Sequence, residues 1–245
     1  RTRVAVTLPG SHQTAPRFLV LARPPFVALN RHMIQALPLK VVCITGASTG
    51  SGREIALQLA AQGVVVAASA RSGEKLASLG PNIRPYPLDV TDRAAVLATI
   101  SSIERDLGPI DLAVLAAGTY TPVDVGNFEP AIFETAMATN YLGVVNALAG
   151  LLPPMIFRRA GHVAWIASVA GYVGLPKAAA YGPSKAALIN LAESLKPDLD
   201  MRGITLSVIN PGFVETPLTA QNAFHMPFLM QAPEAARLSI AGLLK

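Results

Sequence analysis

The sequence is poor in charge and almost without thiols. Only 14% of its residues are charged while 51% are hydrophobic, a balance that suits strands buried on both faces, as in parallel sheets. Cys43 is the single cysteine, which excludes an internal disulfide and fits a reducing, cytoplasmic setting. It lies in the apolar run Val41-Val42-Cys43-Ile44, where an inert core thiol is a better reading than a nucleophile. The four histidines, His12, His32, His162 and His225, have no metal-ligand spacing, so no metal is expected. Long apolar runs are missing as well. The nearest, residues 141–157, is broken by Asn146 and by Pro153-Pro154, so no membrane span is expected.

Acids are absent from the first 38 residues, where Arg1, Arg3, Arg17, Arg23 and Arg31 all sit. These five account for the whole formal charge of +5; the remainder holds 15 basic and 15 acidic residues. A neutral body argues against a nucleic-acid-binding surface. The same stretch carries Pro9, Pro16, Pro24, Pro25 and Pro38 and no hydrophobic period. It reads as a disordered or non-native extension, with an organelle-targeting peptide or sequence upstream of a start at Met33 as the other readings. At 245 residues, one large domain is expected over 39–245.

What is present begins at Leu39. Val41 to Ile44 reads as a buried strand, followed by Thr45-Gly46-Ala47-Ser48-Thr49-Gly50-Ser51-Gly52 and a helix over 53–61. Strand, glycine-rich turn and helix form the context in which such a turn binds a pyrophosphate. Gly46 permits the tight turn, Gly50 the approach of the phosphate, and Gly52 the packing of helix on strand. The helix N-terminus offers the phosphate N–H groups and partial positive charge.

A second strand, residues 64–68, ends in Ser69-Ala70-Arg71-Ser72. An acid here would bind a ribose 2′-OH and an arginine a 2′-phosphate. No acid stands between Ala67 and Gly73 and Arg71 is present, so NADP(H) is favoured over NAD(H); Arg71 as a solvated helix-start residue is the other reading. A third strand, 83–88, ends at Asp89-Val90-Thr91-Asp92, and a fourth, 110–115, at Ala116-Ala117-Gly118. Asp89 can accept from an adenine amino group or cap its own turn. A long helix from about Glu129 into the 150s carries Asn140 and is expected to be disturbed at Pro153-Pro154. A fifth strand, 162–167, delivers Ser168, and a sixth, 204–209, ends in Asn210-Pro211-Gly212. Alternating strands and helices predict a single-domain α/β Rossmann fold, a doubly wound parallel sheet of six or seven strands with helices on both faces. Residues that follow its strands should gather at one edge.

Tyr181-Gly182-Pro183-Ser184-Lys185 opens a helical run. Positions i and i+4 share a helix face, and a first-turn proline has no intrahelical N–H to lose. A cation beside the phenol is expected to lower its pKa towards neutrality.

In this order, Thr45-Gly46-x-x-x-Gly50-x-Gly52, Asp89-Val90, Ala117-Gly118, Asn140, Ser168, Tyr181-x-x-x-Lys185 and Pro211-Gly212-x-x-x-Thr216 resemble the short-chain dehydrogenase/reductase family from about residue 39 to the end. The resemblance implies hydride transfer between a nicotinamide and a carbonyl or secondary alcohol. It makes Tyr181 the general acid/base, Lys185 its pKa-lowering partner and ribose ligand, Ser168 the holder of the substrate oxygen, and Asn140 the support of a proton relay. Ser48, Thr49, Ser51, Val90, Ala116, Ala117 and Gly118 would line the cofactor, and Pro211, Gly212, Val214 and Thr216 would lie along its nicotinamide and phosphates. A homodimer or homotetramer is implied on the same ground. Three departures stand out. Ser51 replaces the usual isoleucine. Leu115 and Ala116 replace asparagines whose side chains pin the fourth strand. The chain stops at Lys245, where members commonly continue into a seventh strand, so the sequence is open to being a partial one. The apolar segment 215–231 is expected to cover the site as a lid over a hydrophobic substrate, or else to be packing. A non-catalytic cofactor-binding regulatory or scaffold protein is the competing class; the intact set of four residues weighs against it.

Overall fold

Val41–Thr45 (β2) is buried along its whole length, as a strand covered on both faces must be. In the computed structural model it is the centre of a parallel sheet. The structure describes residues 39–222 and 225–245, together with the backbone of Arg17–Leu21. Chain order runs Arg17–Leu21 (β1), β2, Gly50–Ala60 (α1), Val65–Ala70 (β3), Gly73–Ala77 (α2), Ile83–Pro87 (β4), Arg93–Leu107 (α3) and Leu112–Leu115 (β5). It continues with Pro130–Ala136 (α4), a π-helical turn Met137–Leu142, Gly143–Arg158 (α5), Gly161–Ile166 (β6), Tyr181–Met201 (α6), Ile204–Pro211 (β7) and Ala232–Leu243 (α7).

The sheet order is β1-β7-β6-β5-β2-β3-β4, and every neighbouring pair is parallel. From β2 the chain steps outward through β3 and β4, then returns to the far side of β2 as β5 and proceeds to β6 and β7. That reversal opens a crevice between β2 and β5 at the strands' carboxyl ends, where ligands bind in open α/β sheets. One face is covered by α3, α5 and α6, whose Val96, Ile100, Leu148, Leu151 and Leu188 pack on Trp165 and Val208. On the other, Ile55 and Leu59 of α1 and Ala236 and Ile240 of α7 meet Ile44, Val66 and Val114. Trp165 is fully buried and its indole donates to Leu188 O at 3.1 Å, so it is core, as expected.

Two features differ from the sequence expectation. Within the stretch expected to lie outside the fold, Arg17–Leu21 pairs with Ser207–Pro211 as an edge strand; the rest of residues 1–38 lies outside the described residues. The helix from 130 is disturbed at Asn140, where six residues wind as a π turn, and α5 runs through Pro153 and Pro154 unbroken. Proline removes a helical hydrogen bond, but α5 is held by the burial of Leu148, Leu151 and Met155 around those positions. By length and composition the run 130–158 would also suffice to cross a bilayer; here its buried face is part of the sheet's core.

Candidate active site

The glycine turn is built from backbone close enough to exclude side chains. Gly46 has φ +69°, and a Cβ there would lie 2.6 Å from Ala117 N and 2.7 Å from Ala116 O. The loop after β5 therefore packs directly on the turn after β2. Thr45 supplies the pin that the missing asparagines would have given: its carbonyl accepts from Ala116 N at 3.2 Å and its Oγ1 from Ala117 N at 3.3 Å. Helix α1 starts at Gly50, three residues earlier than expected. Thr49 at its N-cap makes no side-chain bond, and no acid stands in its first turn. Its leading N–H groups therefore face the crevice uncapped, a fitting place for an anion.

Above these ends lies a cleft of about 820 Å³. Its wall carries Gly46, Ser48, Thr49, Gly50, Ser51, Gly52, Arg71, Asp89, Val90, Ala116, Ala117 and Gly118 together with Ser168, Tyr181, Lys185, Pro211, Gly212, Val214 and Thr216. Asn140 is the one proposed site residue that is not on the wall. It is fully buried behind it. Its Oδ1 accepts from Thr119 N at 2.7 Å, and its Nδ2 donates to Thr119 O at 3.0 Å and to Ser184 Oγ at 2.9 Å. One amide thus ties the loop after β5 to the first turn of α6.

Asp89 is a turn cap: its Oδ1 accepts from Thr91 N at 2.9 Å and Thr91 Oγ1 at 2.7 Å. Those bonds hold its carboxyl below the usual range, helped by the charge of Arg71. Ser168 begins a short 3₁₀ turn, Val169–Gly171, and its Oγ accepts from Ala170 N at 3.1 Å. That turn presses against α6, where a Cβ on Gly171 would come within 2.9 Å of the Lys185 carbonyl carbon. The contact brings Ser168 within hydrogen-bonding reach of the Tyr181 phenol.

Tyr181 and Lys185 share a face of α6 as the spacing predicts, but the expected pKa shift of the phenol is reversed. Burial pushes Tyr181 up to about 12, with the Ser168 hydrogen bond acting against the rise and Tyr120 adding to it. Lys185 does not offset this. Its Nζ donates to Ile166 O at 2.8 Å and stands 5.4 Å from the phenol ring centre. Burial also pushes Lys185 down to about 8. At neutral pH this phenol is protonated, the form that donates a proton.

Several cleft residues escaped the sequence reading: Thr119 and Tyr120 after β5, and Ser72 and Lys75 beside Arg71. The rule that selected Gly118, position after a strand's carboxyl end, would have reached Tyr120 two residues on. Tyr120 meets Tyr181 edge to face, with ring centres 5.5 Å apart and planes at 80°. A smaller pocket of about 80 Å³ opens beyond this pair, walled by Val169, Leu175, Pro176 and Phe213, with no charged residue among the described ones. The segment expected as a lid is tied at its base by Glu215 N to Met230 O at 2.8 Å and Met230 N to Phe213 O at 2.9 Å. Within it Leu218 lines the cleft, Met230 is buried, and Phe224 lies outside the described residues.

Known proteins resemble this chain over most of its length. A family model described as short chain dehydrogenase matches residues 40–226. An uncharacterised oxidoreductase of Myxococcus xanthus is 37% identical over 213 residues, covering 84% of each chain. The 3-oxoacyl-[acyl-carrier-protein] reductase FabG of Salmonella typhimurium is 34% identical, over 74% of this chain and 75% of its own. Among solved structures, actinorhodin polyketide ketoreductase with NADPH superposes with a TM-score of 0.76 at 26% identity, over 84% of this chain and 90% of that one. Serine dehydrogenase complexed with NADP+ gives 0.74 at 27% identity, over 82% and 88%. The chain belongs to the short-chain dehydrogenase family and is an oxidoreductase of that family.

Proposed function

We propose that this protein is an NADP(H)-dependent carbonyl reductase, interconverting a carbonyl and a secondary alcohol on a hydrophobic substrate. The observation that carries the reading is the meeting of Ser168, Tyr181 and Lys185 on the wall of the same cleft that the glycine turn lines. The side-chain-free approach at Gly46 and the uncapped start of α1 fit a dinucleotide pyrophosphate. When bound, the nicotinamide supplies or accepts the hydride.

The chain's own groups then do the rest. Ser168 donates to the substrate oxygen and holds it beside the phenol, stabilising charge as it develops there. Tyr181 gives its proton to that oxygen as general acid, and takes it back in the reverse direction. At neutral pH the phenol is in its acid form, the form that reduction needs. Lys185, on the same face of α6 as the phenol, holds the nicotinamide ribose. Asn140 fixes the loop after β5 against α6. Arg71, with Ser72 and Lys75 beside it, provides the positive site for a 2′-phosphate, and Asp89 accepts from the adenine amino group.

A hydrophobic substrate is supported by the uncharged pocket beyond Tyr181. Two copies would pair through the long helix that carries Asn140, on which Leu142 and Phe157 are exposed, and the helix that carries Tyr181. The single, fully buried Cys43, its thiol pushed up to about 12 by burial, suits a reducing, cytoplasmic setting. The test is NADPH oxidation against a panel of ketones and aldehydes. Turnover that falls about 10²-fold or more in Tyr181→Phe is expected. NADPH binding without oxidation by any substrate would favour a regulatory or scaffold protein on the same fold. An unchanged preference for NADPH over NADH in Arg71→Ala would remove that role from Arg71.

A further inference from the structure

Asn140 holds Thr119 by both its backbone N–H and its carbonyl, and holds Ser184 by the same amide. Ser184 in turn donates to the carbonyl of Tyr181 at 2.7 Å. The residue after Thr119 is Tyr120, so the two elements joined by Asn140 are those that carry Tyr120 and Tyr181. Their rings stand edge to face at 5.5 Å, within the range where such pairs add attraction beyond simple burial. Tyr120 also lines both the large cleft and the small uncharged pocket, as do Ser168 and Tyr181. It therefore stands where those two cavities meet, next to the phenol and the hydroxyl that would hold a substrate oxygen.

We infer that Tyr120 positions the Tyr181 ring and selects substrates by size, because a carbonyl held by Ser168 projects the remainder of its substrate past the Tyr120 ring into the uncharged pocket. The inference rests on the carbonyl-reductase reading of the same site. The ring is the working part: it braces Tyr181 from the side of the β5 loop and narrows the passage between cleft and pocket. Removing the ring frees both; removing only its hydroxyl leaves both in place.

The test compares Tyr120→Ala with Tyr120→Phe. Cyclohexanone and the bicyclic aryl ketone 1-tetralone serve as small and large probes with NADPH. Tyr120→Ala is expected to lower kcat for cyclohexanone at least tenfold and to raise the ratio of kcat/KM for 1-tetralone over cyclohexanone at least fivefold. Tyr120→Phe is expected to stay within about threefold of the parent in both. A second measurement needs no turnover. With five tyrosines in the chain, the ring resonances of ¹³C-labelled protein are assignable by deleting Tyr181. The Tyr181 signal should shift in Tyr120→Ala and hold its place in Tyr120→Phe. An unmoved Tyr181 signal in Tyr120→Ala, or equal damage from Ala and Phe, overturns the inference. Activity that survives Tyr181→Phe strikes the underlying function instead, so the two failures are distinct.

Discussion

Replacing Lys185 by methionine should uncouple fold stability from pH in a defined window. Lys185 is 4% exposed, and burial pushes its pKa from 10.5 down to about 8. The folded state thus binds this proton more weakly than the unfolded chain does. Between about pH 8 and 10.5 the unfolded chain holds more protons, so the free energy of unfolding rises with pH there. Each pKa unit is worth about 1.4 kcal/mol, so the buried ammonium costs about 3 kcal/mol at pH 7, of which about 2 kcal/mol is relieved by pH 9.5. Methionine keeps the stem and abolishes the titration. It also leaves Ile166 O without the donor now at 2.8 Å, a loss of about 1–3 kcal/mol that does not depend on pH. The two effects nearly cancel at pH 7, where Lys185→Met should lie within about 2 kcal/mol of the parent. At pH 9.5 it should be less stable relative to the parent by about 2 kcal/mol more than at pH 7. Tyr181 does not interfere. Its folded pKa of about 12 exceeds the unfolded value of 10.0, so its stabilisation is complete below pH 10 and fades only as pH rises through 12. Urea unfolding of both proteins at the two pH values, without dinucleotide, measures the double difference. A double difference below about 0.5 kcal/mol would refute the claim that Lys185 carries a desolvated charge.

Three further outcomes are expected. Gly46→Ala should lower the thermal midpoint and abolish NADPH binding in a fluorescence titration, since its Cβ would meet backbone at 2.6 Å; unaltered binding would place the phosphate elsewhere. Asn140→Leu should cost at least about 2 kcal/mol in denaturant unfolding, because three hydrogen bonds are lost in a fully buried position. Ser168→Ala should reduce kcat about 10²-fold while NADPH affinity stays within twofold, and a loss of affinity instead would argue against a role on the substrate oxygen.

The parts legible in the sequence were those governed by local pattern. The buried run before Gly46 and the apolar strands 64–68 and 162–167 read directly as sheet, because strands covered on both faces need no polar alternation. Parallel order then brought residues far apart in the chain to one edge. What escaped depended on tertiary contact. The π turn at Asn140 has no signature of its own, since its amide bonds only partners supplied by other elements. Pro153-Pro154 looked like a break, and the packing of Leu151 and Met155 overrides it. The sign of the Tyr181 shift turned on burial, which spacing does not report: the i, i+4 rule placed Lys185 on the correct face but not its Nζ, which bonds Ile166 O. Tyr120 carries no motif: its place two residues past Gly118 would have put it at the sheet edge, but its contact with the Tyr181 ring is set by two loops meeting.

The paired backbone at Val214 and Met230 has an evolutionary consequence. Bonds from Glu215 and Met230 clamp the two ends of the intervening segment together, so the sheet registers only those ends and not the length between them. For a loop closed in this way, doubling its length costs only about 0.6 kcal/mol in closure entropy. The part of the segment beyond the cleft-lining Thr216, Leu218 and Thr219 can therefore be lengthened, shortened or exchanged while Ser168 and Tyr181 stay in place. That part is where this scaffold has most freedom to vary, and grafting it from a relative while keeping Thr216 to Thr219 would read out whether it decides what the protein accepts.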